Sequence, residues 1–412
     1  MPTPPHLVRQ RNGVLLLAVQ FLHALAQGMS VVVLPWIVLD AGASVAGAGL
    51  VLTAGFLPFA LFGLPAGVVG DRGRRRPMLG AVLAAQSLVA GAAFLAAGAG
   101  SLPTMGILAV AFLLGTGRVF VDAAMFGAVG AMVHRDGMLS AQAAVAGAFN
   151  LGYYGGPAIG GLVIGLAGAR TALAAVAVSL AVGCVMSLAL RGAAAGRDRR
   201  EAVTGMGDGL RLLFVEPTLR ALAIIAFTWS LMASGVITLA MPHLRRGLGL
   251  EGPQVSMVLA FGVVAMMVAP FLLHRLSGRV PDTRILVLAL CLYLVPCVAF
   301  GGAANATVAA VAYGPLMLAN AICAATIIGA RARRTPAHLQ AMAGVSGRML
   351  VIGGFTAGSA LTSALTQWVS IGTVYLLIGL GMTALAAVAA PGLAKAREAS
   401  RLAGSPAFAR GG

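Results

Sequence analysis

Arg118 and Asp122 stand four residues apart in a run, 103 to 128, that is otherwise almost wholly apolar. On a helix that spacing puts both side chains on one face, where guanidinium and carboxylate can neutralise each other. An unpaired charge inside a bilayer costs about 3 kcal/mol or more, so charges retained there are functional candidates by default. A second set lies earlier: Gln20, His23, Gln27 and Ser30 recur at intervals of three, four and three, which again selects a single helix face. Four polar groups turned toward hydrocarbon would be costly, so this stripe is expected to line a cavity that takes a small molecule. The ordinary pKa of histidine, about 6.5, suits a proton shuttle. His23 therefore joins Arg118 and Asp122 as the candidate proton-coupling or charge-relay group. Ser230, Ser234 and Thr238 repeat the stripe weakly, and Tyr313 and Asn320 are seven apart. These are further cavity candidates, although serine and threonine readily bond their own helix backbone instead.

The elements that must position these residues follow from composition. Of 412 residues, 59% are hydrophobic and 9% charged, against roughly 25% charged in a soluble domain. A helical crossing needs about 20 apolar residues. Such runs occur at 13–39, 46–70, 77–98, 103–128, 139–168, 171–191, 218–241, 253–276, 284–302, 306–330, 340–367 and 371–391. The fold expected is an all-α membrane protein of twelve transmembrane helices with short loops, leaving no material for a large extramembrane catalytic domain. The run at 13–39 is too long for a signal peptide.

The net charge of +17 would point to nucleic acid in a soluble chain, but its distribution argues against that partner. With the amino terminus inside, the inner loops and ends collect 23 basic residues, the outer loops collect Arg170, Arg245 and Arg246, and Arg118 and Arg348 fall within spans. That bias orients a multi-pass protein with both termini cytoplasmic. The sole lysine is Lys395; such arginine dominance points to a GC-rich bacterial genome and thus to the inner (plasma) membrane. Cys184, Cys291, Cys297 and Cys323 all lie in apolar runs without CxxC spacing and read as packing residues.

The longest polar stretch, 192–217, separates an N-terminal half (1–191) from a C-terminal half (218–391), with a cytoplasmic tail at 392–412. Leu139–Gly147 (LSAQAAVAG) and Leu339–Gly347 (LQAMAGVSG) lie 200 residues apart and share Leu, Ala, Ala, Val and Gly in register. Span five is then the counterpart of span eleven, as in duplicated secondary transporters.

Two motifs carry a family resemblance. Between spans two and three, Gly67, Asp71, Arg72, Arg75 and Arg76 resemble the gating-loop signature of the major facilitator superfamily, with Arg74 where its second glycine belongs. In span five, Gly152, Gly156, Pro157, Gly160 and Gly161 match that superfamily's export signature in full. Small residues at this spacing admit a close neighbouring helix, and proline lets the helix bend. Met132–Leu162 looks most like the macrolide-efflux and enterobactin-export branch. The resemblance implies two pseudo-symmetric six-helix bundles, with span one lining a central site. It also places Arg118, with Leu114, on a partial match to a signature whose arginine is associated with proton coupling. Asp122 has a second reading, as an acceptor for the arginines of the 72–76 loop that would latch an inner gate.

HExxH, P-loop, Asp-rich diphosphate and Gly-x-Ser-x-Gly motifs are all absent from the sequence. The expectation is a monomeric transporter, not an enzyme, with no cofactor or metal, whose partners are a small-molecule substrate, protons and the lipid bilayer. It would export an amphipathic drug-like or natural-product compound by proton antiport; Met257, Met266 and Met267 would suit an apolar site. The rivals are an importer or uniporter of the same fold, a membrane-embedded enzyme, and a non-transporting sensor.

Overall fold

In the computed structural model, residues 11–71, 75–100, 102–132, 138–190, 216–276, 279–335 and 340–403 are described. Among them the regular structure is helical and no strand occurs. The helices are α1 (Arg11–Asp40), α2 (Val45–Asp71), α3 (Arg75–Gly98), α4 (Thr104–Met132), α5 (Met138–Leu188) and α6 (Pro217–Pro242). A π turn, His243–Gly247, then precedes α7 (Gly252–Leu276), α8 (Asp282–Cys291), α9 (Leu294–Gly301), α10 (Ala306–Arg334), α11 (Gln340–Leu365) and α12 (Ile371–Ala403).

Local chemistry explains where these helices start and break. Glu216 accepts from the Leu219 amide and Pro217 occupies the first turn of α6, where a missing N–H costs nothing. Asn305 caps α10 by accepting from Val308 N at 2.9 Å. The 51-residue α5 is interrupted at Gly168, whose φ of 83° only glycine adopts without strain. The two halves of α5 correspond to the apolar runs at 139–168 and 171–191, and α8 with α9 corresponds to the run at 284–302.

Ten helical stretches among the described residues are long and apolar enough to cross a membrane. One of the ten, Ala144–Leu188, has 45 residues, enough for two crossings of about 20 each. The 26-residue α11 covers the run at 340–367 and is not one of those ten. Every apolar run of the sequence is thus helical. α12 continues to Ala403, past the expected end of the last span at 391, because its Ala-, Lys- and Glu-containing extension has high helix propensity. The 192–217 linker lies outside the described residues apart from Glu216 and Pro217.

Two compact units divide the described chain: residues 1–200 with Leu244–Ala260, and Glu201–His243 with Phe261–Gly412. In the first unit, α1 packs along α5 at backbone distance. A Cβ added to Gly156 would sit 2.7 Å from the Gly28 Cα, and one on Gly152 would sit 2.5 Å from the Phe21 carbonyl oxygen. The second unit uses the same device between α6 and α11, where a Cβ on Gly354 would lie 2.7 Å from the Phe227 carbonyl oxygen. Lipid removes the hydrophobic drive for helix association, so close backbone approach at small residues supplies the packing energy.

Candidate functional site

The first unit gathers most of the polar groups that the sequence singles out. Gln20, His23, Gln27 and Ser30 are 3%, 0%, 7% and 8% exposed, so the α1 stripe is buried. Close packing of α1 on α5 is the physical reason. Ser30 donates to its own helix at Ala26 O, 2.8 Å away. Gln27 donates from Nε2 to Leu114 O on α4 at 3.2 Å, and that nitrogen lies 3.5 Å from His23 Nε2.

A residue that the periodicity argument missed completes this cluster. Gln86 on α3 is 2% exposed and donates to the same Leu114 carbonyl at 2.7 Å. Two amides from different helices thus converge on one carbonyl, a single turn before Arg118. Gly117 makes the room, because a Cβ there would overlap the Gln86 carboxamide. Gln86 stands with Ser87 in the 77–98 run, so no stripe marked it; an isolated amide in a long apolar run was the available signal.

Arg118 reaches a different environment. Its guanidinium carbon lies 5.5 Å from the ring centre of Phe56, 5.2 Å from Phe59, 5.1 Å from Phe149 and 4.5 Å from Tyr153. Phe149 and Tyr153 stack at 5.3 Å and 11°, forming one wall. Each ring quadrupole is worth about 0.5–2 kcal/mol to the guanidinium, depending on desolvation. His23 lies within electrostatic reach of both Asp122 and Arg118 and beside Gln86. Arg118 Nε, His23 Nδ1, Gln20 Oε1 and Gln86 Oε1 are buried without a hydrogen-bond partner among the described residues. Unsatisfied buried polar atoms are rare, and four in one region make it the candidate site.

The export-signature residues hold this cluster together. Gly152 and Gly156 press on α1, a Cβ on Gly160 would lie 3.3 Å from Met29, and Gly161 faces Ser256 and Gly252. Pro157 follows Gly156 within α5. Of the gating loop, α2 ends at Asp71 and α3 begins at Arg75, while Arg72 and the side chains of Gly67, Asp71, Arg75 and Arg76 lie outside the described residues. The Asp122 latch to that loop falls outside them too.

The second unit places its candidates in helix packing. Ser230 donates to Phe227 O at 2.9 Å and Ser234 to Leu231 O at 2.7 Å, both within α6. A Cβ on Gly354 or Gly358 of α11 would collide with their hydroxyls, so both serines sit in the α6–α11 contact. Tyr313 is 6% exposed and rests on Phe300 at 5.3 Å between ring centres. Asn320 accepts from Tyr293 OH at 3.3 Å, and that hydroxyl lies 3.4 Å from Trp229 Nε1. This buried chain links α6, the turn between α8 and α9, and α10, and was not visible in the sequence, since Trp229 and Tyr293 read as ordinary core. Met257 and Met267 are half exposed. Among the described residues, no three His, Cys, Asp or Glu side chains converge to hold a metal ion.

The family model described as Major Facilitator Superfamily matches residues 16–347. The multidrug efflux pump Tap of Mycobacterium tuberculosis (strain H37Rv) is 33% identical over 234 residues, 52% of this chain and 54% of that protein. Tap of Mycolicibacterium fortuitum is 33% identical over 228 residues, 51% and 53% of the two chains. The chain thus spans about half the length of the curated relatives it matches. Among solved structures, the nucleoside transporter NupG superposes with a TM-score of 0.71 at 12% identity, covering 93% of this chain and 99% of that one. A bacterial homolog of the human lysosomal transporter Spinster gives 0.69 at 17% identity, with coverage of 94% and 93%. The fold, the glycine-packed α1–α5 pair and a family match across most of its length establish that this chain belongs to the Major Facilitator Superfamily.

Proposed function

We propose that the protein is a secondary transporter that exports a small amphipathic molecule from the cytoplasm in exchange for protons, by alternating access. The observation that carries this reading is the first unit's set of buried His23 with half-buried Arg118 and Asp122, in electrostatic contact and bordered by unsatisfied amide oxygens. Ionisable groups kept at this depth are expensive, and in transporters they mark ion and substrate paths. Residue 118 is halfway along the 29-residue α4, the depth at which secondary transporters bind substrate. His23 and Asp122 are the proton-exchanging groups in this reading, and Arg118 sets their charge balance. Export, in preference to import, is supported by the complete Gly-Pro signature and by the resemblance to Tap, whose name describes a multidrug efflux pump.

Proteoliposomes with an imposed pH gradient test the proposal. Wild-type protein should drive accumulation of an efflux-type dye against its gradient, with stoichiometric proton counterflow. Arg118→Ala and Asp122→Asn should lose accumulation while retaining membrane abundance. Accumulation that persists in every one of the His23, Arg118 and Asp122 variants would take the proton role from these residues, and its absence in the wild-type protein would replace antiport with facilitated diffusion.

A further inference from the structure

Four aromatic rings on α2 and α5 converge on one guanidinium from α4, at 4.5 to 5.5 Å. Holding an arginine against one ring is common and needs no further explanation. Four faces directed at a single charge form a cage, the arrangement that recognises organic cations by their field alone. The rings and Arg118 are all half-buried, whereas the neighbouring His23 is fully sealed, so the cage keeps accessible surface for a ligand that His23 lacks.

The fit between cage and occupant is incomplete. Arg118 Nε is buried with no hydrogen-bond acceptor among the described residues, so the rings supply negative potential while leaving that N–H unpaired. A site shaped for a guanidinium would pair its N–H groups, because a buried unpaired donor is costly. Rings without an acceptor suit a cation that has no N–H to satisfy, such as an alkylated ammonium or a phosphonium. Arg118 also has an alternative location. Asp122 lies one turn further along the same helix, within ordinary reach of an i to i+4 pair.

We propose that the cage of Phe56, Phe59, Phe149 and Tyr153 is a binding site for the charged end of an organic cation, with Arg118 as its resident occupant. The inference rests on the export reading and names its substrate class. Two cations cannot share the cage, since their repulsion at that distance in a site of low dielectric is severe. Ligand and Arg118 therefore compete, and a substrate's arrival moves the guanidinium out of the rings toward Asp122. This gives the sequence's mid-membrane arginine a second task besides proton coupling: it keeps the site filled with charge when no substrate is present, and it rejects ligands unable to replace that charge.

A pair of probes equal in shape and opposite in charge tests the assignment. Equilibrium binding of tetraphenylphosphonium and tetraphenylborate is measured on the purified full chain in nanodiscs, where neither gradient nor transport direction enters. Arg118→Met empties the cage, so phosphonium binding should tighten roughly fivefold or more. Phe149→Leu and Tyr153→Leu should each weaken it about tenfold, in line with the loss of one desolvated ring, and Tyr153→Phe should retain it. If Arg118→Met instead weakens phosphonium binding in protein that unfolds at the wild-type temperature, or if wild type binds the borate in an Arg118-dependent way, the cage is not a cation site. Should Arg118→Met fail to fold, the contrast between Tyr153→Leu and Tyr153→Phe decides alone, and equal affinities overturn the proposal. Cage-dependent binding without transport would overturn the export reading and leave the cage standing; proton-coupled transport with no effect of the cage variants on phosphonium binding would do the reverse.

Discussion

Gly28 and Gly156 meet backbone to backbone. A Cβ on Gly156 would fall 2.7 Å from the Gly28 Cα, and one on Gly28 would fall on the Tyr153 carbonyl. The same turn of α5 that seats α1 also carries Tyr153, a wall of the Arg118 cage, so helix packing and site geometry are set by one contact.

That contact ranks the glycines of the export signature, which the sequence treats alike. Gly28→Ala and Gly156→Ala require backbone displacement and should cost about 1–3 kcal/mol or more. Gly160→Ala meets Met29 at 3.3 Å and needs a shift of only a few tenths of an ångström. Leu162→Ile, at a position 46% exposed on the same helix, should be neutral. Thermal unfolding in detergent, together with dye efflux, checks the order; equal tolerance at Gly156 and Leu162 would show the signature to be incidental.

The segment Leu244–Ala260 groups with the first unit. Arg245 pairs with Asp40 at 3.2 Å and lies 4.3 Å from the Trp36 ring centre, and Arg246 donates to Leu39 O at 3.1 Å. The ion pair is partly exposed and is worth about 1 kcal/mol or less on its own. Its removal should leave abundance unchanged and alter rate. Asp40→Ala and Arg245→Ala should change efflux turnover severalfold, and the exchange Asp40→Arg with Arg245→Asp should restore part of it. A reducible bifunctional methanethiosulfonate joining the thiols of an Asp40→Cys, Arg245→Cys double variant should arrest turnover, and reduction should release it. Full activity of the cross-linked protein would show that this contact never opens during transport.

Orientation rests on the split of basic residues and can be checked directly. Cysteines placed at Asn305 and Trp368 should react with an impermeant maleimide in intact cells, and one at Glu201 only after permeabilisation. Reaction at position 201 in intact cells would invert the topology.

Much of the fold was legible in the sequence because lipid imposes a simple rule: each crossing needs its own apolar run with every backbone group bonded internally. The glycine signature was legible too, since it is local in sequence. Side-chain neighbourhoods were not. Phe56 with Phe59 and Phe149 with Tyr153 each share a helix face by spacing, yet their convergence on Arg118 depends on how three helices pack. Ser230 and Ser234 carried a stripe like that of α1, but Gly354 and Gly358 consumed it in packing, which spacing within one helix cannot reveal. Gln86 had no periodic partner on its own helix; its partner is a carbonyl on α4.

Gln86 therefore offers the sharpest test of whether the amide cluster serves proton exchange or only packing. It shares the Leu114 carbonyl with Gln27 and borders His23, so it acts by positioning, through the α4 turn that carries Arg118. Gln86→Leu removes one hydrogen bond, worth about 1 kcal/mol net, while Gln27 still holds the carbonyl. The fold should survive. With the neighbouring amide gone, the surroundings of His23 lose a dipole, and the pH at which exchange is half-maximal should shift by several tenths of a unit or more. Substrate affinity at saturating proton concentration should remain within about twofold of wild type. Gln86→Glu, close in size, should shift the profile further because it adds a titratable group beside His23 and Asp122. Measuring ΔpH-driven efflux across pH 5.5 to 8.5 separates the two roles: a uniform fall in rate at every pH, with reduced abundance, would make Gln86 a packing residue and return the proton path to His23, Arg118 and Asp122 alone.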